Sequence, residues 1–302
     1  MNPLAHDFMI RALIGAMITG VTAPAIGIYL VQRRLSLIGD GLGHVALTGV
    51  GLGLLLERSP VITAVIVAAI GAVVVELVRQ RGRTSGDVAL AMLFYGGISG
   101  GVLLVNLSSA SSSKSLVSYL FGSPLTTSRG DLVMMGALGV GVLAVALLLR
   151  PWLFSVCHDE EYARVSGLPV RTLNLILAIT TAVTVTVAMR AVGLLLVSAL
   201  MVVPVATAQQ VSRGFRATMA LAMALGLSAA VGGVFLSANL DTGAGATVVL
   251  LAIAGFFVVS VSAAAWRRLR RARVPTASSG TRGLPPDPPG VPAPPEVVLD
   301  RS

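Results

Sequence analysis

The sequence predicts an all-α protein, a polytopic transmembrane helical bundle of about nine spans with its N-terminus outside and its C-terminus inside. Three observations lead there. Apolar residues make up 55% of the 302-residue chain and charged residues only 12%, and the mean hydropathy is +0.88; soluble domains carry about 25% charge. The apolar residues fall into runs close to the ~20 residues that a helix needs to cross the hydrocarbon. The runs lack period-two alternation, so helices rather than a closed barrel satisfy the backbone in lipid.

The nine runs are 8–31, 35–56, 60–78, 87–107, 131–149, 172–189, 191–208, 217–238 and 246–265. The first follows MNPLAHDF, which has no basic n-region, contains Pro24 and ends in arginines, so no cleavable signal peptide is expected. His6 and Asp7 would suit metal capture at the outer face, but a terminus is usually too loose to hold a site. A four-residue joint, QRRL, leads into the second run. The third carries Glu76 near its inner end, where Arg79 or Arg83 can neutralise it. Asp87 and Asp131 stand where helix caps belong in the fourth and fifth. The sixth and seventh are separated only by Arg190, and the seventh contains Pro204. Prolines are tolerated where spans bend and identify no substrate. Asn239 and Asp241 follow the eighth in the turn NLDTG. After the ninth come RRLRRAR at 267–273 and a Pro/Gly/Ser-rich stretch holding eight of the fifteen prolines. The chain therefore divides into a transmembrane domain, 1–273, and a disordered inner tail, 274–302.

Orientation follows from the arginines. With 267–273 inside and nine alternating spans, the inner segments hold fifteen arginines, Arg33, Arg34, Arg79, Arg150 and Arg171 among them. The outer ones hold five cations: Arg11, Arg58, Lys114, Arg129 and Arg190. This is the positive-inside bias, and it accounts for the net charge of +9 without nucleic acid; no aromatic residues interleave with basic ones as RNA or DNA contacts require. The single cysteine, Cys157, excludes an intramolecular disulfide and a multi-cysteine metal site.

Two loops are long. The outer one, 108–130, begins serine-rich and continues as SLVSYLFG, which suits a short interfacial helix. The inner one, 150–171, contains HDEEYARVSG. Acidic residues in a first turn, Arg164 late, Gly167 as a stop and Pro169 beyond it spell a short helix. Composition alone favours a solvated connector held by its own i,i+4 pairs.

The segment Leu37–Gly49, LIGDGLGHVALTG, carries the chemistry. Asp40 and His44 share one helical face. Gly39, Gly41 and Gly43 flank them and permit another backbone to approach. A carboxylate with an imidazole is half of a four-coordinate zinc site and a start for manganese. An ionisable residue in a span costs at least ~2.5 kcal/mol on insertion scales, so two on one face need a role that offsets it. The plainer alternative pairs Asp40 with Arg33 or Arg34 and His44 with a carbonyl. Two ligands do not complete a site; the rest must come from elsewhere in the chain or from a partner. No P-loop is present, because the only lysine is Lys114, preceded by Ser113. Any ATPase is therefore a separate chain.

Four stretches together resemble one family, the membrane permeases of zinc and manganese ABC importers. LSLIGDGLGHVALTGVGLG is similar to its first signature, HDEEYARVSGLPV to its coupling segment, MRAVGLLLVSALMVVPVATAQQV to a late signature, and YLFGSPLTTSRGDL to a further one. The match runs in order from about 8 to 265, and the tail is not covered. The resemblance implies a core of two permeases, a homodimer or two paralogues, with two ATPase subunits and an extracytoplasmic metal-binding protein. It implies that Asp40 and His44 line the metal pathway, two copies supplying two carboxylates and two imidazoles. It assigns Asp159, Glu160, Glu161, Tyr162, Ala163, Arg164, Gly167, Leu168 and Pro169 to coupling with the ATPase. Zinc or manganese is then cargo, with no permanent cofactor and no enzymatic role for this chain. Gly41 and Gly43 stand where Ala and Ser are frequent in the family, which loosens the helix without removing a ligand.

Two other function classes compete, together with one variant of the importer itself. A secondary carrier would use Asp40 and His44 as a proton relay and need no ATPase. An intramembrane enzyme would need a second catalytic group at useful spacing, and none is seen. An importer of metal chelates would need a wide, unligated pathway, against which the Asp40–His44 pair argues.

Overall fold

The computed structural model describes residues 7–80, 86–108, 129–240 and 242–272. Among them the regular structure is helical: α1 (Asp7–Gln32), α2 (Ile38–Leu55), α3 (Pro60–Gln80), α4 (Gly86–Leu107), α5 (Arg129–Leu148), α6 (Arg150–His158), α7 (Glu160–Val165), α8 (Val170–Val192), α9 (Leu194–Val211), α10 (Phe215–Leu240) and α11 (Ala244–Ala272). Each of the nine apolar runs is a helix. Eight are long and apolar enough to cross a membrane, and α9 is an 18-residue apolar helix beside them. The outer loop's SLVSYLFG, the tail 274–302 and the side chains of Asp7, Asp87 and Arg190 lie outside the description, as does His6.

Burial sorts the helices. The apolar windows of α1 and α8 are 72% buried and that of α11 only 17%, so the former pair forms the centre. Helix α1 packs on α8, α9 and α10, and α2 on α3 and α4. Along α3, Ile62, Ile66, Ile70, Val74 and Leu77 stand exposed at helical spacing, an apolar stripe that water would penalise and lipid accepts. Six buried hydroxyls are satisfied within their own helices: those of Thr22, Thr180, Thr181, Thr184, Thr186 and Thr207 each donate to the carbonyl four residues back. The compact unit ends at Ala263; residues 264–302 form a second unit, of which the helical stretch to Ala272 is described.

The joints decide where the functional segments sit. Helix α1 ends in a Schellman-type turn: the Leu35 N–H donates to the Leu30 carbonyl at 2.8 Å and the Arg34 N–H to Val31 at 3.1 Å. Arg34 takes the left-handed position, with φ 58°. Glycine usually stands there, and a side chain costs about 1 kcal/mol or more. The break between α8 and α9 is at Gly193, not at Arg190 as the charge suggests: α8 runs through Arg190 to Val192, and Gly193 has φ 92° and ψ 152°. An L side chain is strained in that conformation, so the glycine, and not the charge, ends the helix. Asn239 likewise belongs to the last turn of α10, its amide donating to the Phe235 carbonyl, rather than to the turn beyond. Asp131 falls in the first turn of α5 rather than at its cap.

Candidate functional site

Asp40 stands in the first turn of α2 and His44 one turn later. Helix α4 is pressed against α2 at this level. A methyl added at Gly97 would lie 2.6–2.8 Å from the backbone of His44 and Val45, so only glycine permits this approach. The Thr48 hydroxyl, one further turn along, donates to the Gly97 carbonyl at 2.7 Å and fixes the pair. The flanking glycines of α2 act differently from the expectation. Gly39, Gly41 and Gly43 receive side chains, from Met201, Leu90 with Leu93, and Leu194 with Val185 respectively. The close backbone is the one at Gly97, on the other helix.

Asp40 lines an open cleft of about 240 Å³ with Leu37, Leu90, Ala91, Phe94 and Tyr95. The Ser198 hydroxyl of α9 donates to one Asp40 oxygen at 3.1 Å. His44 is buried, with 4% of its surface exposed, and its Nδ1 has no hydrogen-bond partner. Phe94 packs edge-on against the imidazole, ring centres 4.4 Å apart, and also lines the cleft. The alternative pairing of Asp40 with Arg33 does not occur: the Arg33 guanidinium donates to Asn174 Oδ1 at 2.6 Å and to Glu160 Oε2 at 2.7 Å. Among the described residues no three His, Cys, Asp or Glu side chains gather as a metal site, so Asp40 and His44 stand as a pair. Ser198, Thr48 and Phe94 escape a reading of the sequence. The first is a lone serine in the apolar run LLLVSALMVV, and its partner is 158 residues away.

Glu76 is a structural ion pair. Both its oxygens accept from the Arg79 guanidinium at 3.0 Å, and one also accepts from Gln80 at 3.1 Å, a forked geometry that suits a side chain only 2% exposed.

At one end of the bundle the predicted short helix forms as α7. Asp159 caps it, its carboxylate accepting from the Tyr162 N–H at 2.9 Å. Gly167 ends it at φ 81°, and Pro169 leads into α8. Ala163 is buried beneath, while Glu161, Tyr162, Arg164 and Val165 are exposed. An additional helix, α6, precedes it, with Pro151 in its first turn. Cys157 lies in α6 and is half-buried. Burial pushes its thiol up to about 11, against the opposing pull of Arg33 and Arg79. The rings of Phe154 and Phe215 meet at 4.8 Å, so α10 starts at the same end as α6, and α9 returns the chain along the bundle.

Residues 5–263 match the family described as the ABC 3 transport family. The chain belongs to that family. It is 33% identical over 258 residues to the high-affinity zinc uptake system membrane protein ZnuB of Haemophilus influenzae, a match covering 84% of this chain and 98% of that protein. It is 30% identical over 250 residues to the manganese transport system membrane protein MntC of Halalkalibacterium halodurans, covering 82% and 85%. Its fold is similar to that of PsaBC from Streptococcus pneumoniae, solved in complex with a Fab, with a TM-score of 0.77, 26% identity and coverage of 85% and 92%. Family and fold make this chain a multi-pass protein of the cell membrane and a transport subunit.

Proposed function

We propose that this chain is the membrane permease of an ATP-driven importer of divalent metal ions, zinc foremost and manganese next, with Asp40 and His44 as the ligands the ion meets in transit. The observation that carries this reading is a buried imidazole whose Nδ1 lacks a partner, one turn from a carboxylate that lines an open cleft. A buried polar atom left unsatisfied is costly unless it serves a ligand. Relatives named for zinc and manganese support the cargo class.

A metal-binding protein delivers the ion outside, where the N-terminus lies. The ion sheds water and meets Asp40 and His44 near the permease interface. A second copy of the chain, or a paralogue, supplies the remaining ligands across the cleft. A completed four-ligand site would retain the ion, so the pair is held incomplete in each half. A separate ATPase docks on α7 and its flanks, from Asp159 to Pro169, and its closure turns the permease halves so that the pathway opens inward. Only a neutral imidazole binds metal, so acid competes with uptake.

The deciding experiment is uptake of radioactive zinc, manganese and ferrous iron by vesicles holding the permease with its ATPase and binding protein. ATP-dependent zinc uptake supports the proposal. Uptake driven by a proton gradient without ATPase would establish the secondary carrier instead.

A further inference from the structure

Arg33 joins the coupling segment to the ligand helix. Its side chain is only 8% exposed, and an arginine withdrawn from water demands partners. It finds two on different elements: Asn174 Oδ1 near the start of α8, at 2.6 Å, and Glu160 Oε2 in the first turn of α7, at 2.7 Å. Both are short, charge-assisted bonds, and the planar fork of arginine serves two acceptors at fixed angles where a lysine would serve them as a point charge. The other Glu160 oxygen accepts from Arg164 at 3.3 Å, so the carboxylate is held from both sides. On the chain side of Arg33 the connection is short and stiff. The next residue is Arg34 in its left-handed turn, the Ile38 N–H donates to the Leu35 carbonyl at 3.0 Å, and α2 begins at Ile38 with Asp40 in its first turn.

We infer that Arg33 is a positioning residue that transmits movement of the coupling helix to the first turn of α2, so that displacement at Glu160 shifts Asp40 and opens or closes the ligand pair. The inference rests on the proposed function, since Asp40 matters only as a ligand. Glu160 lies inside the segment assigned to ATPase docking, whereas Arg33 lies outside it. The link thus has one end on the motor side and one on the substrate side. Loss of a staple that merely stabilised the fold would lower yield and melting temperature without changing how ATP use and transport are matched.

The test measures metal ions carried per ATP hydrolysed by the full complex of permease, ATPase and binding protein in vesicles, for wild type, Arg33→Gln, Glu160→Gln and the double variant. In Arg33→Gln the ratio is expected to fall about fivefold or more, the scale of ordinary coupling energies. The double variant is expected to be no worse than the more affected single one, the signature of two groups acting through one contact. A wild-type ratio in Arg33→Gln, or losses that multiply in the double variant, would overturn the inference alone. A wild-type complex without ATP-driven metal uptake would overturn the proposed function and the inference with it. If Arg33→Gln does not assemble, Arg33→Lys replaces it: the charge remains but not the fork, and a ratio equal to wild type in that variant rejects the link.

Discussion

Two polar clusters in this bundle are built in opposite ways. Around Arg33 the ionised groups are partnered, the guanidinium with Asn174 and Glu160, and Glu160 again with Arg164, although Oε1 of the neighbouring Gln32 has no partner. Around His44 they are held back: among the described residues Nδ1 has no partner, and the Asp40 carboxylate accepts from Ser198 and has an open cleft beside it. The burial cost is similar in kind, so on the proposed reading the difference lies in what each cluster is for. A cluster that transmits force must be closed, because an unpaired member would let the joint slip. A cluster that holds a passing cation must keep lone pairs vacant, because a satisfied ligand has nothing to offer the ion.

The sharpest way to break this contrast is to empty the open cluster. Asp40→Ala with His44→Ala is expected to reduce ATP-driven metal uptake to the level of empty vesicles while co-purification with the ATPase persists. Normal uptake in that variant would remove the vacant lone pairs from the account. Next in size is the packing that shapes the cluster. Gly97→Val drives methyl groups into the His44 backbone, and overpacking of this kind costs about 1–3 kcal/mol, read as a clear drop in the melting temperature of the detergent-purified protein. An unchanged melting temperature would show that α4 does not press on α2 as described.

A smaller effect sharpens the comparison within the open cluster. Ser198 holds one oxygen of Asp40 and leaves the other for the ion, so Ser198→Ala is expected to weaken metal affinity about 10-fold, the usual scale for a group that orients a ligand, with assembly unchanged. Equal affinities by metal competition would reduce Ser198 to packing. The smallest test concerns the closed cluster. Cys157 lies beside it with its thiol raised to about 11 by burial. The raised value favours the protonated form, so alkylation should be slow at neutral pH and accelerate as pH climbs toward 11. Fast labelling at pH 7 would mean that this end is more open than its bonding suggests.

The helices and the placing of Asp40 beside His44 were legible in the sequence because their signals are local. Runs of apolar residues mark the spans, a spacing of four puts Asp40 and His44 on one face, and Asp159, Gly167 and Pro169 punctuate α7 within eleven residues. What was not legible depends on backbone conformation or on distant partners. The Arg190 charge drew the α8–α9 break to itself, whereas the left-handed Gly193 makes it. Gly39, Gly41 and Gly43 suggested a backbone approach at their own positions, but at the level of His44 the approach is supplied by Gly97 of α4. Whether Arg33 answered Asp40 or another carboxylate could not be decided from proximity along the chain, since its partners lie 127 and 141 residues away.

The central claim is that the imidazole of His44 and the carboxylate of Asp40 touch the cation. The most direct measurement is the X-ray absorption spectrum of zinc bound to the purified transporter, for wild type and for His44→Ala. The account predicts a nitrogen and oxygen shell at about 2.0–2.1 Å with the outer scattering of imidazole in the wild type, and loss of that imidazole scattering in the variant. The same imidazole signal at full strength in His44→Ala would contradict it.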